Sequence, residues 1–137
     1  MKAVLDTNVI ISGLLWKKTI KALFDLADSH KITICLTPKI IDEVFKVLSY
    51  PRIHKQLDFV GLTTIEIINY LLQISELYPD LDLEISLQDT SDKIFLGAAV
   101  ASNAKYIITG DYHLLSLKKF RGIKIINPRQ FLEEISK

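Results

Sequence analysis

The chain has 137 residues, 49% of them hydrophobic and 24% charged, with 17 Lys and Arg against 16 Asp and Glu for a formal net charge of +1. A chain of this length buries roughly 68% of its unfolded surface, so it needs neither metal nor disulfide to make a core, and one domain over residues 1–137 is expected. The composition excludes a disordered or fibrous chain, and the near-neutral total excludes a strongly basic histone-like protein or a wholly acidic mimic.

In chain order, Ala3–Leu5 reads as a short buried strand closed by Asp6, and Thr19–Ser29 as a helix. Ile32–Leu36 is the second apolar run and holds the single cysteine, Cys35. One thiol forms no intrachain disulfide, which favours a reducing compartment. Thr37 caps a helix opened by Pro38 and running to Ser49. Pro51 and Pro79 bound a helical insertion over residues 51–79, in which Thr63–Leu77 is helical and Thr63 with Glu66 has capping-box spacing. A helix over Ser91–Asn103, strands at Tyr106–Ile108 and Ile123–Ile126, and a helix over Pro128–Ser136 complete the chain. Short apolar strands alternating with helices predict an α/β fold with a central parallel sheet. No signal-type apolar region or span of ~20 apolar residues occurs, so a cytoplasmic protein with no membrane partner is expected.

The charges are unevenly spread. Between Gln56 and Asp92 stand eight acids and no Lys or Arg, while the other 100 residues hold 17 basic and 8 acidic groups, a balance of +9. Lys118, Lys119, Arg121, Lys124 and Arg129 form the densest basic stretch. It reads as a solvated surface or as a face that follows nucleic-acid phosphates.

In a parallel sheet, ligands bind beyond the carboxyl ends of the strands, which directs attention to acids placed there. Asp6 ends the first strand, Asp111 follows Tyr106–Ile108, Asp92 opens a helix, and Glu43 lies at the margin of the apolar face made by Ile40, Val44, Val47 and Leu48, extended by Ile41 and Phe45. Asp111 also has a plainer reading as the cap of a short helix at Tyr112–Leu117, and Asp92 and Asp89 as helix-dipole partners, whereas Asp6 interrupts an otherwise apolar segment and has the weakest plain reading. Convergence of all four would need a cation to offset their repulsion. Oxygen ligands without His or Cys at metal spacing suit Mg²⁺ or Mn²⁺, whose chemistry with phosphate esters is assisted hydrolysis.

Leu5-Asp6-Thr7-Asn8-Val9-Ile10-Ile11-Ser12, the helical Glu43, Asp92-Lys93 before an alanine-rich helix, and Tyr106-Ile107-Ile108-Thr109-Gly110-Asp111 together resemble the PIN-domain nucleases. The likeness is greatest to the single-domain prokaryotic toxins of the VapC type. The resemblance implies a three-layer α/β/α sandwich and a Mg²⁺- or Mn²⁺-dependent endoribonuclease acting on RNA. It further implies the toxin role in a type II toxin–antitoxin pair, a cognate antitoxin as partner, and a homodimer. Carried over by position, Asp6, Glu43, Asp92 and Asp111 are the catalytic acids, with Asp6, Asp92 and Asp111 on the metal and Asn8 and Thr109 in support. Lys93, Lys118, Lys119 and Arg121 are candidates for RNA phosphates. Relatives often carry a further aspartate where this chain has Ser91, which favours one firmly held ion and leaves open whether Asp89 takes part.

His113 is a weaker candidate for substrate contact, and Trp16 and Tyr112 for stacking on bases or for packing. The wide apolar arc of Thr63–Leu77 fits either full burial or a groove for a second copy or an antitoxin. A haloacid-dehalogenase-like phosphatase would need an acid at Asn8, and no P-loop is present. The remaining alternative is a non-catalytic RNA-binding or protein-interaction module whose acids are ordinary caps.

Overall fold

The structure is a computed structural model that describes residues 1–15, 18–85 and 92–136. Trp16, Asp89 and Ser91, to which expectations attach above, lie outside the described residues. The elements run β1 (Lys2–Leu5), α1 (Thr7–Leu15), α2 (Lys18–Asp28), β2 (Thr33–Leu36), α3 (Pro38–Leu48), α4 (Pro51–Val60), α5 (Thr64–Ile74), β3 (Ser75–Leu77), α6 (Asp92–Ser102), β4 (Tyr106–Ile108), α7 (Tyr112–Leu115), β5 (Lys119–Phe120), β6 (Ile123–Ile126) and α8 (Pro128–Ile135).

The strands form one sheet in the order β3-β2-β1-β4-β6-β5, parallel throughout except for the β5–β6 pair. Successive side chains of a strand face opposite sides of a sheet. Ala3, Val4 and Leu5, Ile34, Cys35 and Leu36, and Ile107 and Ile108 are nevertheless all buried. Both faces are therefore covered, and the sandwich has helices on either side of the sheet. The chain builds β1, β2 and β3 in one direction and then returns through α6 to place β4 on the other side of β1. The order thus reverses between β1 and β4, which opens a crevice beyond their carboxyl ends.

Three local outcomes differ from the sequence reading. Residues 7–15 form α1, because the Asp6 side chain caps its first turn, accepting a hydrogen bond from the Val9 N–H at 2.8 Å, while Thr7, Ile10 and Ile11 turn into the core. The helix expected to reach Leu77 stops at Ile74. Ser75–Leu77 instead extends the sheet beside β2, where the Tyr78 N–H reaches the Leu36 carbonyl at 2.8 Å. The segment 51–79 is therefore two helices and a sheet strand, since edge pairing outweighs local helical preference. Finally, Lys119–Phe120 pairs antiparallel with β6 through Arg121 and Gly122, whose φ of 50° and 82° suit a tight hairpin turn. The caps at Thr37 and Thr63 form as predicted, the latter as a reciprocal capping box, and Asn127 with Gln130 closes a second capping box that the sequence reading did not name.

Helix α6 packs against β1, β2 and β4 and buries the small residues Gly97, Ala98 and Ala99. A Cβ at Gly97 would run into the backbone carbonyl of Leu81, which lies directly on the helix. Because that obstacle is backbone, Gly97→Ala should destabilise the protein by about 1–3 kcal/mol, read as a lower urea midpoint at unchanged slope.

Candidate active site

Asp6 and Asp111 meet in the crevice at the strand-order reversal. Leu5 is registered with Ile108, and the Asp6 N–H donates to the Ile108 carbonyl at 3.1 Å, which fixes the end of β1 against the end of β4. The fully buried Thr109 is the junction between the two acids. Its hydroxyl donates to Asp6 Oδ2 and accepts from the Asp111 N–H, the latter at 2.9 Å. Asp6 Oδ1 accepts from Val9, and the Gly110 backbone N–H also acts on the carboxylate, so both of its oxygens are oriented.

The Asp6 side chain is only 5% exposed. Burial pushes its carboxyl above the ordinary carboxylate range, the hydrogen bonds from Thr109 and Val9 pull it partly back, and the nearby charge of Asp111 pushes it up again. Deprotonated Asp6 is thus a desolvated anion beside a second anion. Asp111 is half-buried, and its Oδ1 caps α7 by accepting from the His113 N–H at 2.8 Å.

Asp92 is the first residue of α6 and is 6% exposed, held where the helix N-terminus favours negative charge. Glu43 is half-buried on α3 beside Ile40, Val44 and Leu48, and it makes no hydrogen bond or ion pair among the described residues. Phe45, placed by sequence on the apolar side, is 53% exposed. Among the described residues no three Asp, Glu, His or Cys side chains lie within joint reach of one ion. The assembled unit is the Asp6–Thr109–Asp111 group, with Asp92 and Glu43 on separate helices. Mg²⁺ is typically held by a carboxylate or two, with water and substrate phosphate filling the remaining positions. The donor set therefore fits one hard cation.

Asn8 was expected to support a carboxylate. It is exposed and makes no hydrogen bond among the described residues, because the helical turn of α1 carries it to the outer side. Thr7, which sequence reasoning passed over, is buried at 5% with its hydroxyl lacking any hydrogen-bond partner among the described residues. Only knowledge of α1 could have singled it out. Tyr112 is 79% exposed beside His113, with ring centroids 6.2 Å apart, so Tyr112 is not a core residue.

The basic candidates divide. Lys93 follows Asp92 and lies on α6 at the crevice end of the sheet. Lys118 and Lys119 belong to the outer edge, with β5 two strands from β4, or about 10 Å sideways. Arg121 sits in the turn that precedes Ile123, at the end of the sheet away from Thr109, and covers the Phe120 ring at 5.1 Å. Lys124 pairs with Glu134. This stretch protects an edge strand as charged residues commonly do.

A family model described as the PIN domain matches residues 2–113. Among solved structures, VapBC2 from Rickettsia felis, bound to a DNA fragment from its promoter, is similar over 93% of this chain and 98% of that chain, with a TM-score of 0.61 and 14% sequence identity. No curated protein matches the sequence.

Two outcomes follow from the Asp6 environment. The raised folded-state carboxyl favours the protonated fold, so its stabilising contribution is full below the unfolded value of about 4 and is lost as pH rises through the folded value. Asp6→Asn should therefore gain stability relative to the natural chain as pH rises above about 4, measured as the difference in urea midpoints across a pH series. Thr109→Val leaves an Asp6 oxygen and the Asp111 N–H each without its hydroxyl partner, and should cost about 1–3 kcal/mol while Thr109→Ser retains most of the stability.

Proposed function

The chain belongs to the PIN-domain family of nucleases, and from that membership we propose that it is a Mg²⁺- or Mn²⁺-dependent endoribonuclease whose centre is the Asp6–Thr109–Asp111 group. The observation that carries this reading is the buried, oriented Asp6 carboxylate beside a second carboxylate. A fold keeps such a pair at a cost to stability, and a cation removes that cost.

In this reading Asp6 and Asp111 would hold the ion, with Asp92 acting on it through water from the start of α6 rather than as a third direct ligand. A divalent ion bound there supplies Lewis-acid polarisation of the scissile phosphate and charge for the departing oxygen. Thr109 keeps the Asp6 carboxylate turned into the crevice. Glu43, which has no partner among the described residues, accepts the proton of the attacking water. Lys93, at the start of α6, contacts the RNA beside the site, while Lys118, Lys119 and Arg121 contribute at most to distant, salt-sensitive attraction of the RNA. One buried and one half-buried carboxylate suit a single firmly held ion.

We further propose the toxin role in a toxin–antitoxin pair, with a cognate antitoxin and a homodimer, in the cytoplasm and as one domain. The likeness to a VapBC structure supports the antitoxin. Exposed apolar side chains on α4 and α5, Phe59 at 91%, Ile65 at 68% and Val60 at 50%, supply a surface of the kind a partner covers. Among the described residues no single helix is long and apolar enough to cross a membrane.

A second reading has its own support. Asp6 caps α1 and Asp111 caps α7, as they would in a non-catalytic RNA-binding or interaction module. Mn²⁺ titration separates the two. For the nuclease, Mn²⁺ at a hundred times its dissociation constant should raise stability by about 2.7 kcal/mol, and Asp6→Asn should lose both this gain and RNA cleavage. Unchanged melting with Mn²⁺, or metal-dependent cleavage retained by Asp6→Asn, would sink the assignment.

A further inference from the structure

Beside the proposed centre lies a cavity of about 270 Å³ between α3 and α6, the helices that carry Glu43 and Asp92, and of its lining the nuclease reading uses Lys93 alone. It is lined by Lys39, Asp80, Leu81, Asp82, Lys93 and Ile94. Its wall is clamped at two points. The Asp80 carboxylate accepts from the Lys39 N–H in the first turn of α3, both oxygens at 3.3 Å, and the Leu81 carbonyl lies on α6 at Gly97. The pocket is therefore held in shape by backbone contacts, and its volume lies just below the range of ordinary ligand pockets, roughly 300–1,000 Å³, as suits one small planar group.

Its charges identify that group. Two lysines and two aspartates cancel, so the cavity is a poor site for a bare phosphate and a good one for a ligand that both donates and accepts. Asp80 is engaged by Lys39, whereas Asp82 has no hydrogen-bond or ion-pair partner among the described residues, nor has the Lys93 ammonium. Leu81 and Ile94 add apolar surface. Among the RNA bases, guanine alone presents two adjacent donors, N1–H and the 2-amino group, that a carboxylate accepts together, next to an O6 acceptor for an ammonium. Single-stranded RNA is commonly read along that edge.

We propose that this cavity is a guanine-selective subsite of the same active site, with Asp82 accepting from N1–H and the 2-amino group, Lys93 donating to O6, and the RNA strand leaving the base toward Asp92. The proposal rests on the ribonuclease reading for its substrate, but base binding needs no cleavage, so the two fail separately. The test is binding of 5′-GMP, AMP, CMP and UMP to the full chain by calorimetry, together with cleavage of oligouridine strands bearing a single internal G, A or C. GMP should bind about tenfold tighter than the other three, and the G-bearing strand should be cut beside the guanine in preference to the others. Asp82→Asn, an exposed position, should bring the four nucleotides within about twofold of one another, since an amide cannot accept both donors. Equal binding of the four nucleotides, or a guanine preference unchanged in Asp82→Asn, overturns the subsite. Guanine-selective binding without any RNA cleavage upholds the subsite and overturns the nuclease reading instead.

Discussion

The Asp6 carboxylate is bound by its two oxygens to two different parts of the chain. One oxygen closes the first turn of α1 through Val9, and the other takes the hydroxyl of Thr109, from 103 residues further along. The same side chain therefore ends β1, starts α1 and ties β1 to the loop after β4. This is where the strand order reverses, so the tie also forms the floor of the crevice. Thr109 passes the constraint on by accepting from the Asp111 N–H, and Asp111 in turn starts α7. Helix initiation, strand pairing and site geometry here share three side chains.

That economy has a cost. A carboxylate at 5% exposure next to another acid resists ionisation, and the fold is least comfortable in the charge state that the proposed metal binding would require. Capping hydrogen bonds offset only part of the desolvation. Natural proteins commonly accept such local conflict at functional positions while other levels of organisation agree. The surroundings here do agree: both sheet faces are covered, the capping boxes close, and the small residues of α6 let a loop carbonyl rest on the helix at Gly97.

The helical region between β2 and α6 shows how charge and placement are connected. Sequence marks it only as acidic and apolar. In the fold its Asp80 binds the first turn of α3, its Leu81 presses on α6, and Ser75–Leu77 adds the outer strand beside β2. The acids are thus partly structural fasteners. The basic stretch expected to meet RNA lies mostly on the opposite edge, where Lys124 pairs with Glu134 and Arg121 covers Phe120.

The sequence by itself determined the strands Ala3–Leu5, Ile32–Leu36, Tyr106–Ile108 and Ile123–Ile126 to within a residue, the caps at Thr37 and Thr63, and the carboxyl-end positions of Asp6 and Asp111. Those are local properties, written in apolar runs, prolines and cap spacings that act within a few residues. Only the tertiary structure decided that residues 7–15 are helical, that Ser75–Leu77 leaves its helix to pair with β2, that Asn8 points outward while Thr7 is buried, and that Arg121 lies far from the acids. The net charge of +1 likewise could not say which charges are neighbours. Each of these outcomes depends on a partner distant in the chain, such as Ile108 for Asp6 or Leu36 for Tyr78, and periodicity carries no information about such partners.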